Sequence, residues 1–173
     1  MANPSTGYPS IDKPWLKYWS EESKTCKLPN CSIYDLLEST ARNHLDYTAI
    51  EYFGKKLSYK EFLVYINQVA NSFKKLGVGK NDVVSICSVS TPEIIASIYA
   101  LDKIGASANI IEPRTNPERI QKFISFTDSK VLLVLDSILP KIEPILDKTC
   151  IENTIVISAM DSASLIAKMA YGM

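Results

Sequence analysis

The apolar positions along the chain follow two different periods, and together these predict alternating strands and helices. Short continuous apolar runs (VVSI, ANII, VLLVL and TIVI) recur roughly 24 residues apart, which leaves room for one helical crossover between each pair. The predicted strands are residues 83–88, 106–111, 131–135 and 154–158. Strands without polar alternation are typical of sheets covered on both faces. The pattern therefore predicts an α/β fold with a doubly wound, mostly parallel sheet flanked by helices.

Helix starts are marked by their capping chemistry. Ser58 and Glu61 form a capping box, in which each side chain bonds a backbone N–H left free at the helix start. The Thr-Pro-Glu run at 91–93 and the Asn-Pro-Glu run at 116–118 place proline at the first helical position and an acid near the positive end of the helix dipole. Gly105 is predicted to end the first of these two helices.

The part of the chain before the sheet is predicted to hold an arm, a helix and a hairpin. Residues 1–30 carry four prolines and both tryptophans, and we expect an extended amino-terminal arm in which Trp15 and Trp19 share one short helical turn. A helix begins at Ser32. A small hairpin follows, with strands at 49–53 and 56–57 joined by a turn at Gly54 and Lys55. The last predicted helix covers residues 162–171.

The helix predicted at 94–104 is apolar around nearly its whole circumference. Only Ser97, Asp102 and Lys103 are polar in this stretch, whereas a surface helix normally has a broad polar face. Two explanations are open. Either the helix is enclosed inside the fold, or it faces a partner outside this chain.

Composition excludes several classes of function. The 173 residues carry 19 basic and 19 acidic side chains, and a net charge of zero argues against a nucleic-acid or anionic-membrane partner. An apolar content of 46% excludes a disordered chain. Charged residues interrupt every apolar stretch before the roughly 18 residues that a membrane span requires, and no export signal is present. We therefore expect a cytoplasmic protein.

Metal binding is not predicted. The four cysteines, without an export signal, are expected to be reduced thiols. Cys26 and Cys31 are five positions apart, which is loose for half of a zinc site, and no second Cys or His pair follows. The single histidine, His44, lies in a helical pattern without an evident partner.

No catalytic motif stands out either, and the polar candidates have plain structural explanations. The chain lacks a Walker phosphate loop and a G-x-S-x-G nucleophile turn. Arg114 and Arg119 follow the second sheet strand near its carboxyl end, where Arg114 could contact an anion, although a solvated loop arginine is the favoured interpretation. Glu51 and Glu112 could be buried acids, and strand-end side chains facing water are favoured instead.

Six ordered blocks over about residues 32–136 form a recognisable series: LSYKEF (57–62), LGVGKNDVV (76–84), TPE (91–93), ALDKIGA (100–106), PR with PE (113–118) and SKVLL (129–133). In these blocks the sequence from Lys56 onward resembles the adenylate-forming superfamily, which includes acyl-CoA synthetases, luciferases and nonribosomal adenylation domains. Asn81 stands where the family pattern has glycine. The residues around 7–18 are similar to the arm of some bacterial long-chain fatty-acid–CoA ligases.

The resemblance implies an ATP-dependent, AMP-forming ligase of fatty acid metabolism, which turns carboxylate, ATP and coenzyme A into acyl-CoA, AMP and pyrophosphate. ATP, Mg²⁺ and coenzyme A are implied for the full-length enzyme. The phosphate loop and catalytic lysine of the family lie downstream of the matching segment. We therefore predict an arm at 1–30 and an amino-terminal α/β subdomain at 31–173, truncated before the phosphate loop. No catalytic, cofactor-binding or metal residue is assigned, and the fragment is expected to be inactive and to bind no cofactor.

Alternatives and partners follow from that hypothesis. A different class of function is a non-catalytic interaction module derived from a synthetase front half, with the helix at 94–104 as its docking face. A third is a small-ligand α/β domain unrelated to the synthetases. The expected partner is the missing downstream half of the ligase, and exposed apolar surface is expected to favour a homodimer or aggregation.

Overall fold

The computed structural model describes residues 6–171, and its internal contacts divide the chain into two units after Cys31. The first unit contains helix α1 (Pro9–Asp12), a 3-10 turn (Pro14–Tyr18) and helix α2 (Glu21–Thr25). The helical turn predicted around the tryptophans is the 3-10 turn, and the segment predicted as extended contains two further single turns of helix. Residues 1–5 of the predicted arm and residues 172–173 lie outside the described residues.

The second unit holds the remaining elements, and their order matches the predicted alternation. In chain order they are α3 (Ile33–Ala41), β1 (Thr48–Tyr52), β2 (Lys55–Ser58), α4 (Tyr59–Lys75), β3 (Val83–Cys87), α5 (Pro92–Lys103), β4 (Ser107–Ile111), α6 (Pro117–Phe126), β5 (Val131–Leu135), α7 (Leu139–Leu146), β6 (Asn153–Ile157) and α8 (Leu165–Ala170). None of the helices within residues 6–171 is long and apolar enough to cross a membrane.

The four later strands form a parallel sheet in the order β4-β3-β5-β6. From β3 the chain moves outward to β4, then crosses back to β5, so the direction of winding reverses between β3 and β5. Alternate residues of β5 belong to two separate cores. Leu133 packs with residues of α3, α4 and α5, whereas Leu132 and Val134 pack with residues of α6 and α7. The doubly wound parallel sheet is therefore confirmed.

The hairpin differs from the prediction by one residue at its turn. Strands β1 and β2 pair antiparallel, and Tyr52 lies opposite Lys55. The two turn residues are consequently Phe53 and Gly54, whose φ angles are 42° and 77°. Two positive φ angles are the requirement of the type I′ turn that matches the twist of a hairpin. The predicted turn at Gly54 and Lys55 was wrong because Lys55 already belongs to the second strand.

The predicted helix caps are confirmed. At the start of α4 the Ser58 hydroxyl accepts the Glu61 N–H at 3.2 Å, and Glu61 Oε2 accepts the Ser58 N–H at 2.8 Å. These hydrogen bonds to Ser58 lower the pKa of the Glu61 carboxyl. At the starts of α5 and α6, the side chains of Thr91 and Asn116 likewise each accept a backbone N–H of the first helical turn. Gly105, at φ 78°, follows the end of α5 in the left-handed conformation.

Helix α5 is enclosed inside the fold, which decides between the two explanations for its apolar surface. It packs against α3 and α4 on one side and against the sheet on the other, and Ala96, Ala100 and Leu101 are fully buried. Near its end, Lys103 Nζ donates to Tyr34 Oη at 2.7 Å and to Asn67 Oδ1 at 2.5 Å. Its remaining apolar side chains are half-buried against the same core, which contradicts the hypothesis that this helix is an external docking face.

Replacing Leu101 with alanine should destabilise the fold strongly. The substitution removes a fully buried side chain and leaves a cavity in a close-packed core, so we expect a loss of about 2–5 kcal/mol in the free energy of unfolding. The matched control is Leu165→Ala in α8, where the leucine is exposed and a change within about 0.5 kcal/mol is expected. Urea unfolding of both variants makes the comparison. Equal losses would contradict the enclosed position of α5.

Candidate functional site

The carboxyl edge of the parallel sheet carries the only buried carboxylate among the described residues. Open α/β sheets bind ligands at this edge, near the point where the winding reverses. The segment after β3 leads directly into α5, and Glu93 is the second residue of that helix. The segment after β6 returns to the same region and brings Ser162 to Glu93. Glu93 and Ser162, which are 69 positions apart in sequence, therefore meet beyond the ends of two strands.

The start of α5 explains why Glu93 occupies this place. Thr91 is in the extended conformation and its hydroxyl accepts the Ile94 N–H at 3.4 Å, so it is the cap of the helix. Pro92 fills the first helical position, where no N–H is needed. Glu93 then lies in the first turn, where the positive end of the helix dipole stabilises a negative charge. The local sequence thus favours an acid at this position before any tertiary contact forms.

Glu93 is only partly satisfied by its neighbours. It is 8% exposed, and its Oε1 accepts a short hydrogen bond from the Ser162 hydroxyl. The Ser97 hydroxyl donates to the Glu93 backbone carbonyl at 2.7 Å and so leaves the carboxylate untouched. The second carboxylate oxygen, Oε2, is buried without a hydrogen-bond partner among residues 6–171. An unpaired buried carboxylate oxygen is costly, and native proteins contain few such groups.

Glu93 lines a cavity of about 170 Å³ between α4, α5 and the sheet, which we call the Glu93 cavity. Its other walls are mostly apolar and come from α4 and from strands β5 and β6: Tyr65, Val69, Phe73, Leu133, Ile155 and Ile157. A second groove of about 520 Å³ adjoins it, shares Tyr65, Glu93 and Ile157, and also includes Lys55, Asp161 and Ser162. The arrangement can hold a small molecule that has one polar end and an apolar body.

Two tyrosines near Glu93 have raised pKa values. Burial raises the pKa of Tyr65 to about 12, and the negative charges of Glu93 and Asp161 add to the effect. Burial also raises the pKa of Tyr52, with a further contribution from Glu93. The Tyr52 hydroxyl donates to the Ala159 carbonyl at 2.8 Å and so links the hairpin to the segment after β6. Both tyrosines therefore remain neutral hydrogen-bond donors beside this carboxylate.

The polar candidates taken from the sequence lie elsewhere and do not form a site together. Arg114 has a side chain that is 94% exposed, and it pairs with Glu112 at 3.4 Å. Arg119 lies over the Phe123 ring at 5.6 Å instead of joining Arg114 at an anion site. Glu51 pairs with Lys56 across the hairpin at 3.5 Å. These contacts place all four side chains at the surface in ordinary ion pairs or ring contacts.

The histidine and cysteines are likewise separated. His44 is exposed, and its ring lies tilted against that of Tyr47 with 4.9 Å between the ring centroids. Cys26 and Cys31 are exposed free thiols. Burial raises the pKa of the Cys87 thiol to about 11, so it is an unreactive core residue. Within residues 6–171, no three His, Cys, Asp or Glu side chains come close enough to hold a metal ion.

Sequence reasoning recognised Glu93 only as a helix-start acid and missed its partner. Ser162 gave no signal, because a serine in a loop is unremarkable in sequence. The one available clue was that Glu93 begins a helix whose following residues are nearly all apolar. Of the two explanations for such a helix, only enclosure inside the fold draws its first-turn acid into the core, and the sequence did not decide between them.

Comparison with known proteins decides the family. The sequence pattern of the AMP-binding enzyme family matches residues 37–170. The chain belongs to this family. The resemblance to the adenylate-forming superfamily is thereby confirmed, and the alternative of an unrelated small-ligand domain is wrong. Asn81, which replaces the family's usual glycine, has a φ of 71°. Asparagine tolerates this left-handed conformation better than most residues, so the substitution preserves the turn.

Relatives in this family include two kinds of synthetase. The chain is 24% identical to a long-chain-fatty-acid–CoA ligase of Bacillus subtilis over 150 aligned residues. This alignment covers 86% of the chain and 27% of the relative. The chain is 32% identical to surfactin synthase subunit 1 of the same organism over 102 aligned residues. This alignment covers 59% of the chain and 3% of the relative. The chain thus spans at most about a quarter of these curated relatives.

Solved structures of CoA ligases share the fold. The anthranilate CoA ligase AuaEII, solved in complex with anthranoyl-AMP, superposes with a TM-score of 0.71 at 26% identity, covering 80% of this chain and 27% of that one. A long-chain-fatty-acid–CoA ligase of Archaeoglobus fulgidus gives a TM-score of 0.70 at 22% identity, covering 80% of this chain and 31% of that one. The second likeness shows the shared fold alone.

The family implies use of ATP with Mg²⁺, but the described residues do not fit such a site. The sequence has no Ser/Thr/Gly-rich phosphate loop, and residues 6–171 provide no cluster of metal-ligating side chains. Glu93, the one buried carboxylate described above, is surrounded mostly by apolar side chains. A triphosphate with its metal ion requires several charged or backbone N–H ligands at close range, whereas the charged side chains that line this region are Glu93, Asp161 and the exposed Lys55.

Replacing Tyr65 with phenylalanine should change the alkaline stability of the protein. Because the pKa of Tyr65 is raised from 10 to about 12, folding favours the neutral phenol. Its contribution to stability is therefore complete below pH 10 and is lost as the pH rises to 12. The Tyr65→Phe variant should lose less stability than the wild type over this interval, as measured by urea unfolding at a series of pH values. Tyr47→Phe, at an exposed ring, is the control and should follow the wild type.

Proposed function

We propose that this chain is the amino-terminal part of an AMP-forming acyl-CoA ligase that acts on a fatty acid. In this proposal the parent protein joins a carboxylate to AMP at the expense of ATP and then transfers the acyl group to coenzyme A. The 173 residues supply a supporting subdomain, and the reacting groups come from the remainder of the protein. The observation that carries the proposal is the family match over residues 37–170 combined with the absence of a phosphate loop from the sequence.

The extent of the alignments supports a CoA ligase over a peptide synthetase. The alignment with the Bacillus subtilis CoA ligase covers 150 residues, which exceeds the whole stretch from residue 37 to the end of the chain. It therefore includes residues upstream of the family match. The alignment with surfactin synthase subunit 1 covers 102 residues and is short enough to lie within the family match. Similarity in the upstream segment is the feature that favours the CoA ligase.

A supporting role agrees with what the family motifs do in this structure. The LSYKEF block begins α4 through its Ser58 and Glu61 capping box. The ALDKIGA block places Asp102 where it accepts the Tyr34 N–H at 2.8 Å, and Gly105 where the chain leaves α5. These residues build caps and helix contacts. Their positions explain why the blocks are recognisable in a segment that has no assigned catalytic residue.

A second candidate is an adenylation domain of a peptide synthetase. It is favoured by the higher local identity to surfactin synthase subunit 1, at 32%. The two candidates differ in substrate and in product. The CoA ligase would form a fatty acyl-adenylate and then a free thioester of coenzyme A, whereas the adenylation domain would activate an amino acid.

The isolated chain should catalyse no ATP–pyrophosphate exchange with fatty acids or with amino acids. Exchange requires a phosphate-binding loop and metal ligands, and the sequence offers no such loop. The measurement is incorporation of labelled pyrophosphate into ATP, with the complete Bacillus subtilis CoA ligase as the positive control. Measurable exchange by the isolated chain would contradict the supporting role.

The gene that encodes the chain gives a direct test of the parent enzyme. We expect the reading frame beyond the codon for the last residue to encode a Ser/Thr/Gly-rich run followed by proline and lysine. Expressed at full length, the protein should then show exchange that depends on a fatty acid and should form acyl-CoA. Exchange that depends on an amino acid would instead favour the peptide synthetase, and a frame without a phosphate loop would favour a non-catalytic interaction module.

We also expect the isolated chain to self-associate through α8. Four side chains of this region are exposed and apolar, namely Leu165, Ile166, Met169 and Tyr171, with Ile166 81% exposed. Adjacent exposed apolar side chains favour association. Light scattering should show a mass that rises with concentration, and Ile166→Glu should reduce it. The matched control is Phe126→Glu, at an exposed ring on α6. A monomer at every concentration would exclude the association.

A further inference from the structure

We propose that the Glu93 cavity binds a small neutral molecule, with an alkyl body inside the cavity and one oxygen on the Tyr65 hydroxyl. The ligand class is a short-chain alcohol. The inference goes beyond the proposed ligase function and does not depend on it. It rests on an accessible hydroxyl without a partner, on the size and the apolar walls of the cavity, and on the balance of charges around its entrance.

The Tyr65 hydroxyl is the polar group that the cavity leaves free. Tyr65 is half-buried, and no hydrogen bond within residues 6–171 involves its hydroxyl. Among the buried and half-buried residues of this range, Glu93 Oε2 is the one side-chain oxygen or nitrogen that is enclosed without a hydrogen-bond partner. The Tyr65 hydroxyl is therefore not enclosed, and a small molecule can reach it. Glu93 Oε2 is sealed off by protein atoms and takes no part in binding.

The free hydroxyl lies where the Glu93 cavity meets the adjoining groove. Tyr65 lines both spaces. The negative charges of Glu93 and Asp161, which also line the groove, contribute to the raised pKa of Tyr65, so its hydroxyl lies within electrostatic reach of both. Because that pKa is about 12, the phenol is neutral near pH 7. A neutral phenol can donate one hydrogen bond to an alcohol oxygen or accept one from an alcohol hydroxyl.

The rest of the cavity accepts an apolar group. The two other hydroxyls on its wall, those of Ser72 and Ser97, already donate to backbone carbonyls of their own helices, at 3.0 Å and 2.7 Å. Most of the other wall residues are apolar side chains of α4, β5 and β6. An apolar cavity of about 150 Å³ holds a molecule of the size of benzene, and this cavity measures about 170 Å³. A short alkyl chain therefore fits and buries its surface.

The charged groups around the entrance balance one another. Glu93 and Asp161 are the acids there, and Lys55 lines the same groove. Lys168 adds a second positive charge, because its ammonium group donates to the Asp161 backbone carbonyl at 2.9 Å. Two acids and two lysines favour neither a cation nor an anion. Burying an ion among apolar side chains without an ionic partner is costly, and a neutral ligand avoids this cost.

Three probes of equal size separate the ligand classes. 1-Pentanol is neutral, n-pentylammonium is a cation and n-butyrate is an anion. Each is titrated into the complete 173-residue chain and followed by amide chemical shifts in NMR spectra. We expect saturable shifts with 1-pentanol at residues that line the cavity, such as Ser97 and Leu133, and binding about tenfold weaker or less with the two ions. Equal or tighter binding of either ion would overturn the proposal.

A variant without the hydroxyl tests the polar contact. Tyr65→Phe keeps the ring and removes the hydrogen-bonding group, so the affinity for 1-pentanol should fall by about threefold or more. The matched control Tyr47→Phe removes the hydroxyl of an exposed tyrosine and should leave the affinity unchanged. An unchanged affinity in Tyr65→Phe would overturn the assignment of this hydroxyl as the partner of the ligand.

A cavity-filling variant tests the place of binding independently of the hydroxyl. Val69→Phe fills the cavity from the α4 side and should abolish the saturable shifts. Val64→Phe, at a position of the same helix that is 52% exposed, is the matched control and should bind as the wild type does. If Val69→Phe does not fold, the comparison of Tyr65→Phe with Tyr47→Phe still decides. Undiminished binding in Val69→Phe, or no saturable shifts in the wild type, would contradict the site.

Discussion

The enclosure of α5 between the sheet and the helices α3 and α4 is the constraint on which the rest of this structure depends. A parallel sheet must have both faces covered, and α5 is the layer that covers the side shared with α3 and α4. Its small residues, Ala96 and Ala100, allow close approach of the neighbouring elements, while Leu101 fills the space between them. Lys103, the last residue of α5, contacts Tyr34 at the start of α3 and Asn67 in the middle of α4, so it joins the three helices.

The same enclosure creates the chemically unusual group in the chain. Because Glu93 begins α5, it is buried together with the helix, and the segment after β6 adds Ser162 above it. The helix dipole and one hydroxyl compensate part of the cost of burial. They leave Oε2 without a donor in the described part of the chain. Packing of α5 buries Glu93, whereas its carboxylate would be more stable with a donor for each oxygen. The position of the residue is therefore decided by packing.

Membership in the AMP-binding enzyme family agrees with a structural role for the recognisable motifs of this chain. The family's blocks within residues 57–133 correspond to caps, turns and helix contacts of a doubly wound sheet, and CoA ligases of known structure share that fold.

The sequence by itself determined the order of the elements, because that order depends on local chemistry. Apolar periodicity located the strands of the sheet, and capping residues such as Ser58, Thr91 and Asn116 located the helix starts, since these interactions join residues three positions apart. Tertiary structure decided what depends on distant contacts. It set the strand order β4-β3-β5-β6, placed the hairpin turn at Phe53 and Gly54, and brought Ser162 to Glu93. The strand order and the contact between Ser162 and Glu93 result from packing segments that are far apart in the chain, so no local pattern encodes them; the turn position depends on the register of the two hairpin strands.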